Sequence, residues 1–218
     1  MNHHLEVDSV MLNFGTRQIL QNVFLQNRTG EITGLVGRNG SGKSCLLNVI
    51  YGTLQASDQS IRIDQKHLSQ RDINPHIIRY LPQFNFIPKS FSMQTILQDF
   101  NINTDAFITD FPEFRKYYKT PINKLSGGEQ RIIEIYSVLA SPTQFCLLDE
   151  PFSQVMPIHI KTLKRVMQRE KKNKGLIISD HLYQHLLDIC DNITLIKDGQ
   201  TISVHNVNDL IKLGYLES

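Results

Sequence analysis

Residues 37–44 read GRNGSGKS, which matches the pattern G-x-x-x-x-G-K-[ST]. The apolar stretch before it, EITGLVG, is typical of a β-strand, and the apolar residues after Lys43 recur at helical spacing. Between a strand and a helix, Gly40 and Gly42 let the backbone curl so that successive N–H groups point into a concave anion nest. The stretch therefore predicts a phosphate-binding loop in an α/β fold.

Two side chains of this loop are expected to act directly on a bound nucleotide. Lys43 is long enough to reach the β- and γ-phosphates, and Ser44 can place its hydroxyl on Mg²⁺. A glycine-rich turn with a chance lysine is the simpler explanation, but the flanking strand and helix disfavour it. The residues predicted to contact the nucleotide here are Gly37, Asn39, Gly40, Ser41, Gly42, Lys43, Ser44 and Cys45.

A second stretch, FCLLDE at 145–150, places two carboxylates directly after a strand of buried type. Ligands of open α/β sheets bind at the carboxyl ends of the strands, so Asp149 and Glu150 are expected near the phosphate loop. Asp149 would hold Mg²⁺, directly or through water, and Glu150 would orient and polarise the attacking water. An acidic pair alone is a weak signal because acids commonly cap helices. Behind a phosphate loop, it indicates a nucleotide hydrolase.

The wider pattern predicts the fold. Residues 5–15 suit a strand with a bulge, and 83–124 change to a helical and aromatic character with an amphipathic helix at 93–100. Strands and helices then alternate, which is typical of a parallel sheet covered by helices, and KDGQ at 197–200 predicts a closing hairpin. We expect one α/β domain over 1–218: a P-loop NTPase core with a mostly parallel sheet, an N-terminal antiparallel β subdomain, and a small helical subdomain at about 83–140.

Two further expectations concern residues 182–190 and the cysteines. Leu182, Leu186 and Cys190 recur at helical spacing and predict one continuous helix. Cys45, Cys146 and Cys190 are widely separated in apolar stretches with no C-x-x-C pattern. They are therefore expected to be small buried thiols rather than parts of a disulfide framework or a zinc site.

Composition limits the class of protein. The 218 residues are 40% hydrophobic and 20% charged, as in an ordinary globular protein, and the net charge of +2 gives no electrostatic footprint for nucleic acid. The sequence has no signal-like N-terminus and no apolar run near the roughly 20 residues that a membrane span needs. We expect a cytoplasmic protein that reaches a membrane only through another chain, and we expect no nucleic-acid partner.

A second glycine-rich turn opens another helix at LSGGEQR, residues 125–131. Ser126 and Glu129 have the spacing of a capping box, and the apolar residues that follow give the helix a buried stripe. Capping explains Ser126 and Glu129 but not the paired glycines at 127–128. A capped helix with two glycines at its start is another anion site, so one chain carries two such sites.

With these motifs in this order, the chain resembles the ATP-binding cassette (ABC) ATPases over nearly its whole length. In that family LSGGQ or a close variant is the signature, and two domains pack head to tail so that each signature closes over the partner's γ-phosphate. The resemblance implies that Ser126 and Gly128 contact ATP held by a second subunit. It also implies that Phe14 stacks on adenine, that Gln83 contacts Mg²⁺, and that His181 touches the γ-phosphate. A strand phenylalanine such as Phe14 is as often plain core.

The resemblance completes the expected site and its partners. It implies that ATP and Mg²⁺ bind, that a second ABC ATPase subunit completes the site, and that a separate transmembrane permease holds the protein at the inner face of the cell membrane. The residues expected to act in catalysis are Lys43, Glu150 and His181, and those expected to hold Mg²⁺ are Ser44, Gln83 and Asp149.

The chain departs from the family pattern in DEPFSQVMP, residues 149–157. Family members commonly read DEP-x-x-G-L-D, and the acid reaches toward the partner's phosphate loop. Met156 stands in its place, and a thioether cannot accept charged hydrogen bonds as a carboxylate does. The departure predicts slow or partner-dependent turnover; tolerated variation in a loop is the alternative.

Three functions remain open at this point. The chain is the motor of a transporter, a soluble ABC ATPase that acts on another macromolecular assembly, or a non-enzymatic dimerisation switch. Aromatic residues after Gln83, where family members contact their permease, favour the transporter, although these residues are also suited to a subdomain core. Intact Glu150 and His181 argue against the switch. The sequence does not indicate the cargo.

Overall fold

The computed structural model describes residues 2–216 and contains two β-sheets. The first is antiparallel, with strand order β2-β1-β4-β5. Its first strand bulges as predicted: Ser9 has a φ of 56°, and the register shifts between Val7 and Val10. The bulge brings apolar residues on both sides of it to the buried face. The strands are β1 (His4–Phe14), β2 (Arg17–Arg28), β4 (Asp58–Ile63) and β5 (Lys66–His67).

The second sheet has strand order β10-β9-β3-β8-β7-β6 and is parallel except for the pair of β9 and β10, which is antiparallel. The strands β3, β7 and β8 are buried at every residue, which explains their continuous apolar sequences. The predicted hairpin joins β9 to β10 through Asp198 and Gly199, both at positive φ. The strands are β3 (Ile32–Val36), β6 (Ile78–Leu81), β7 (Phe145–Asp149), β8 (Gly175–Ser179), β9 (Asn192–Lys197) and β10 (Gln200–Val204). The predicted fold class is confirmed.

Helices cover this second sheet and fill the region between β6 and β7. No helix within residues 2–216 combines the length and the apolar character that crossing a bilayer requires. Short 3₁₀ turns lie at Pro112–Tyr117, Ile122–Lys124 and Lys171–Asn173. The α-helices are α1 (Lys43–Ile50), α2 (Met93–Asp99), α3 (Thr104–Asp110), α4 (Gly127–Ala140), α5 (Pro157–Glu170), α6 (Tyr183–Leu187) and α7 (Val207–Lys212).

Two expectations from the sequence were wrong in detail. The helix predicted from Leu182, Leu186 and Cys190 is only the short α6, because Asp180 Oδ1 accepts from the Leu182 backbone N–H before it and Asp191 pairs with Ile32 of β3 after it. Of the three free cysteines, only Cys146 is fully buried, whereas Cys45 and Cys190 are partly exposed.

The helical region packs on its own aromatic cluster. The rings of Phe107 and Tyr136 meet edge to face at 4.8 Å, and further phenylalanines surround them. The Tyr136 hydroxyl donates to the buried Asp110 at 3.0 Å, and Arg169 Nη1 of α5 donates to the same carboxylate at 2.8 Å. The cluster therefore joins α3, α4 and α5 around one satisfied buried charge. The division of the chain at 83–140 stays a prediction.

Candidate functional site

The loop GRNGSGKS joins β3 to α1, as its sequence predicts. Gly40 has a φ of 76° and Gly42 a φ of 104°, a backbone region that side-chain-bearing residues rarely adopt. A Cβ at Gly42 would also lie 2.8 Å from Leu20 Cδ2 and 3.2 Å from Ile19 Cγ2, so these side chains of β2 would have to shift to admit it. The positive φ and the close approach of the loop to β2 therefore both favour glycine here.

The first turn of α1 is suited to an anion. Gly42 precedes it, and no side chain in the described part of the chain caps its first N–H groups. In α4, by contrast, the Ser126 and Glu129 side chains form a complete capping box, as predicted. The uncapped N–H groups of α1 and its positive dipole end match a phosphate group.

Lys43 is buried and lies against the loop that precedes it. Its Nζ donates to the carbonyl oxygens of Gly37 at 2.8 Å and Arg38 at 3.2 Å. Burial lowers the pKa of Lys43, while the nearby carboxylates of Glu150 and Asp149 oppose that shift. The chain thus holds a cation at the phosphate loop despite an unfavourable environment, which is a common property of functional sites.

Oxygen-bearing groups collect beside the loop, where the sequence predicts Mg²⁺. Gln83 Nε2 donates to Ser44 Oγ at 3.2 Å, so these two residues meet although they are far apart in the chain. Asp149 is buried at the end of β7. One carboxylate with a neighbouring hydroxyl suits Mg²⁺, which commonly keeps several waters and also binds substrate phosphates.

Sequence reasoning missed the two side chains that orient Asp149. The Tyr80 hydroxyl donates to Asp149 Oδ2 at 3.2 Å, and the Ser179 hydroxyl donates to Asp149 Oδ1. Burial, and then the Asp149 charge, raise the pKa of Tyr80, which further favours the protonated hydroxyl that donates to Asp149. Ser179 could have been found, because it ends the neighbouring parallel strand in register with Asp149.

Glu150 and His181 face each other, with Glu150 Oε2 and His181 Nδ1 3.5 Å apart. Glu150 has a φ of 49°, which is uncommon for a residue with a side chain, and its N–H donates to Ser179 O. The buried Asp180, which sequence reasoning missed, accepts from Leu182 N at 2.8 Å and from Phe152 N at 3.3 Å. Asp180 therefore fixes the loops that carry both His181 and Glu150.

The cleft above the loop has a volume of about 570 Å³ and brings most of the predicted residues together. Phe14 stands at its edge and is 52% exposed, which excludes the alternative of a core phenylalanine. Arg17 and Ile19 also line the cleft and were not predicted. Its lining comprises Phe14, Arg17, Ile19, Asn39, Gly40, Gly42, Lys43, Ser44, Cys45, Gln83, Glu150 and His181.

The remaining predicted residues do not line this cleft. Asp149 is buried behind it at the end of β7, the Gly37 carbonyl accepts from Lys43, and Ser41 lines a neighbouring hollow of about 490 Å³. Ser126 and Gly128 do not line the cleft; a Cβ on Gly128 would lie 3.0 Å from the carbonyl oxygen of Gln154. The signature turn therefore adjoins the loop after Glu150, and within one chain it does not reach the residues around Lys43.

A largely apolar groove of about 400 Å³ opens next to Gln83. Phe84 is 72% exposed at its edge, which is unusual for a phenylalanine. The Arg79 guanidinium lies 4.6 Å from the centroid of the Phe100 ring in the same groove. An exposed apolar groove with one cation is a typical docking surface for an apolar segment of another protein.

Comparisons with known proteins agree with this geometry. A family model described as "ABC transporter" matches residues 20–153. A probable ABC transporter ATP-binding protein of Azorhizobium caulinodans is 30% identical, covering 87% of this chain and 73% of that protein. The lipopolysaccharide export system ATP-binding protein of Escherichia coli (strain K12) is 29% identical, covering 86% of this chain and 84% of that protein.

Two further similarities differ in extent. A ribose import ATP-binding protein of Bacillus subtilis is 26% identical over 94% of this chain, and the chain spans 45% of that relative's length. A solved ATP-binding subunit of an ABC transporter has a TM-score of 0.81 at 20% identity, covering 98% of this chain and 94% of that one. The structural similarity shows a shared fold.

Proposed function

Because the chain belongs to the ABC transporter family as an ATP-binding subunit, we propose that it hydrolyses ATP with Mg²⁺ and thereby powers transport through a separate membrane-spanning chain. One observation carries the proposal: a single cleft collects the phosphate loop, Gln83, Glu150 and His181. The relatives are named for import and for export, which supports transport over the alternative of a soluble assembly factor without choosing a direction or a cargo.

Each side chain has a separate role in the proposed reaction. Phe14 offers an exposed ring to the adenine base, and Lys43 with the first turn of α1 binds the phosphates. Ser44, Gln83 and Asp149 would hold Mg²⁺, which when bound neutralises charge on the phosphate oxygens. Tyr80 and Ser179 keep Asp149 in place through their hydrogen bonds.

Glu150 is the proposed base and lies on the cleft wall beside His181. Its carboxylate accepts a hydrogen bond from the attacking water and polarises it. His181 would contact the oxygens of the γ-phosphoryl group as that group passes from ADP, the leaving group, to water. The strained backbone of Glu150 and the bonds of Asp180 hold this pair in a fixed geometry, so little reorganisation is needed during the reaction.

The site is proposed to be complete only in a pair of subunits. Ser126 and Gly128 open α4 outside their own cleft. A capped helix start with adjacent glycines can still bind an anion presented from outside. A second ABC subunit whose ATP contacts this turn would explain both its position outside its own cleft and its suitability for an anion. Closure of the two subunits around ATP is the proposed mechanical step.

The apolar groove beside Gln83 is the proposed contact with the permease. Phe84, Phe86 and Phe100 line it next to a residue of the nucleotide cleft. An apolar segment of the permease that binds there would hold the subunit at the membrane and lie within reach of the catalytic groups. The membrane association of this chain is then peripheral.

The test compares wild type with Glu150→Gln and with Glu113→Gln, an exposed acid outside the cleft. We expect Glu150→Gln to bind ATP·Mg²⁺ normally, to lose hydrolysis by about 10²–10⁴-fold, and to accumulate as a dimer in analytical ultracentrifugation. The Glu113→Gln variant should behave as wild type. A wild-type protein that neither binds nor hydrolyses ATP would refute the proposal.

A further inference from the structure

Two oppositely charged residues are buried inside the molecule, away from the cleft. The Arg131 and Glu134 side chains on α4 are 1% and 0% exposed, and Arg131 Nη1 lies 3.5 Å from Glu134 Oε2. Charged side chains are almost never fully buried unless they are paired, because removing a charge from water is costly. A well-packed apolar pair would hold a helix at least as well, so stability alone does not account for them.

Each member of the pair also bonds to a different part of the site. Arg131 Nη2 donates to the backbone carbonyl of Asp149 at 3.2 Å, directly before Glu150. Glu134 Oε1 accepts from the backbone N–H groups of Phe86 at 3.0 Å and Ile87 at 3.2 Å. The bonds therefore run without a break from the segment after Gln83 to the end of β7.

A second, shorter connection runs beside the first. Asn85 Nδ2 donates to Gln130 Oε1 at 3.3 Å, and Gln130 Nε2 donates to the carbonyl of Leu125 at 2.9 Å. The segment at 85–87 thus touches both the signature turn and the buried pair. Phe86 of this segment, and Phe84 directly before it, line the apolar groove.

We propose that Arg131 and Glu134 are positioning residues that couple the occupancy of the apolar groove to the geometry of Asp149 and Glu150. The inference rests on the proposed function and adds how its site is regulated. When the groove is filled, the backbone at 86–87 moves, and Glu134 must follow because its carboxylate holds two amides there. Arg131 then moves with Glu134, and the Asp149 carbonyl moves with Arg131.

Burial makes this chain of bonds stiff. Burial is also the largest influence on the ionisation of Glu134 and raises its pKa, while the bond from the Ile87 N–H and the Arg131 charge favour the carboxylate. In a medium of low dielectric, a lost partner is not replaced by water, so each bond tolerates little displacement. Exposed ion pairs exchange with solvent and cannot transmit a shift in this way.

Coupling between two sites is reciprocal, so the connection through Arg131 and Glu134, here called the relay, can be tested without the permease. The probe is a non-hydrolysable ATP analogue with Mg²⁺, and the readout is hydrogen exchange of the Phe86 and Ile87 amides. In wild type, we expect the analogue to slow exchange of these amides on the order of tenfold. In Glu134→Gln, the amides keep an acceptor but the link to Arg131 is broken, so the response should be lost while analogue affinity stays within about threefold.

A second variant and a matched control make the result specific. Arg131→Lys keeps the charge, but Arg131 reaches Glu134 and the Asp149 carbonyl from two different nitrogens, Nη1 and Nη2, whereas a lysine has a single nitrogen to place, so this variant should also lose the response. Glu170→Gln changes another ion-paired glutamate, which lies outside the relay, and this variant should keep the hydrogen-exchange response. If both relay variants respond as wild type does, or if wild type binds the analogue without a response, the relay is wrong and the ATPase proposal stands. If wild type does not bind the analogue, both fail.

Discussion

Gln83 Nε2 and Ser44 Oγ are joined by a hydrogen bond of 3.2 Å across 39 positions of the sequence. Gln83 lies between β6 and α2, and Ser44 lies in the first turn of α1. The bond holds the serine hydroxyl where the proposed Mg²⁺ would bind, and it places Gln83, directly before Phe84 of the apolar groove, beside that position. Gln83 is thus a direct structural connection between the helical region and the phosphate loop.

Gln83→Ala should raise the Mg²⁺ concentration needed for half-maximal ATP hydrolysis by at least about tenfold, because Gln83 is a proposed Mg²⁺ ligand and also orients Ser44, and partners that orient metal ligands alone typically contribute that much. The measurement is a Mg²⁺ titration of hydrolysis at saturating ATP. Gln98→Ala, at an exposed position on α2, is the control and should leave the titration unchanged. A Gln83→Ala titration that matches wild type would show that the bond does not organise the metal site.

Lys43→Met should abolish nucleotide binding and yet stabilise the nucleotide-free protein. Burial lowers the pKa of Lys43 below its value in the unfolded chain. The protonated amine therefore lowers the free energy of unfolding at every pH below the pKa that Lys43 has in the folded protein. This effect vanishes only above the pKa that Lys43 has in the unfolded chain. Replacing it with an apolar side chain of similar length should raise Tm by about 3 °C, as measured by calorimetry at neutral pH.

Lys174→Met serves as the matched control, because it also removes a buried lysine that donates to two carbonyls, those of Leu139 at 2.8 Å and Ser141 at 2.6 Å. Leu139 and Ser141 are themselves fully buried, and Lys174 also pairs with Glu170 at 3.5 Å, so its loss leaves buried acceptors and a carboxylate without their lysine partner. Arg38, which accepts from Lys43, is instead an exposed loop residue that water can reach, so Tm should fall only for Lys174→Met. If both methionine variants are destabilised, the prediction that the buried Lys43 amine lowers the stability of the nucleotide-free protein is wrong.

His185 should make the protein sensitive to mild acid. Its Nδ1 lies 3.2 Å from the Lys164 ammonium, and its ring packs edge to face on Phe152, 5.1 Å away, in the loop after Glu150. Burial, and then the Lys164 charge, lower the pKa of His185. The unfolded chain therefore takes up a proton more readily, and stability is lost as pH falls through the ordinary histidine pKa of about 6.5.

The measurement is urea unfolding at about pH 7.5 and about pH 5.5, on either side of that pKa. Between these two pH values, the free energy of unfolding of His185→Gln should fall by less than that of wild type. His76→Gln, at an exposed position, should lose as much as wild type. An equal loss in all three proteins would assign the acid sensitivity to other groups.

The features that the sequence predicted best are those with strict local requirements. The phosphate loop needs glycines at positive φ, and the capping box at Ser126 needs a fixed spacing, so a short stretch suffices to predict either. The hairpin at Asp198 and Gly199 follows the same rule. The parallel sheet was predicted because its buried strands are apolar at nearly every position.

The features that were missed depend on contacts between distant parts of the chain. Asp180 holds Phe152 across 28 positions, and Arg131 holds the Asp149 carbonyl across 18. Neither pair has a spacing that a periodic pattern can reveal. The short strands β4 and β5 were not predicted either, because they are stabilised by pairing within the antiparallel sheet. Sequence patterns therefore predicted the groups proposed to act on ATP better than the groups that hold them.

Met156 gives the sharpest prediction because it has two separable effects. It is the N-cap residue of α5, with a φ of −64° and a ψ of 141°, but its side chain caps nothing. It is 53% exposed, beside the loop that touches Gly128. An aspartate there would accept from the first N–H groups of α5, which is worth about 1 kcal/mol, and would also restore an acid at the proposed subunit interface.

Met156→Asp should therefore raise both Tm and ATP turnover, the latter several-fold. Met156→Asn caps the helix equally well without a charge, so it should raise Tm alone. Ile158→Asp adds the charge two residues later on the same helix, where the side chain is 76% exposed, and should not raise turnover. Calorimetry and steady-state hydrolysis of the four proteins separate the effects. Equal turnover in the Asp and Asn variants would mean that helix capping, rather than a carboxylate facing the partner, limits the rate; unchanged turnover in both would mean that the methionine is tolerated variation.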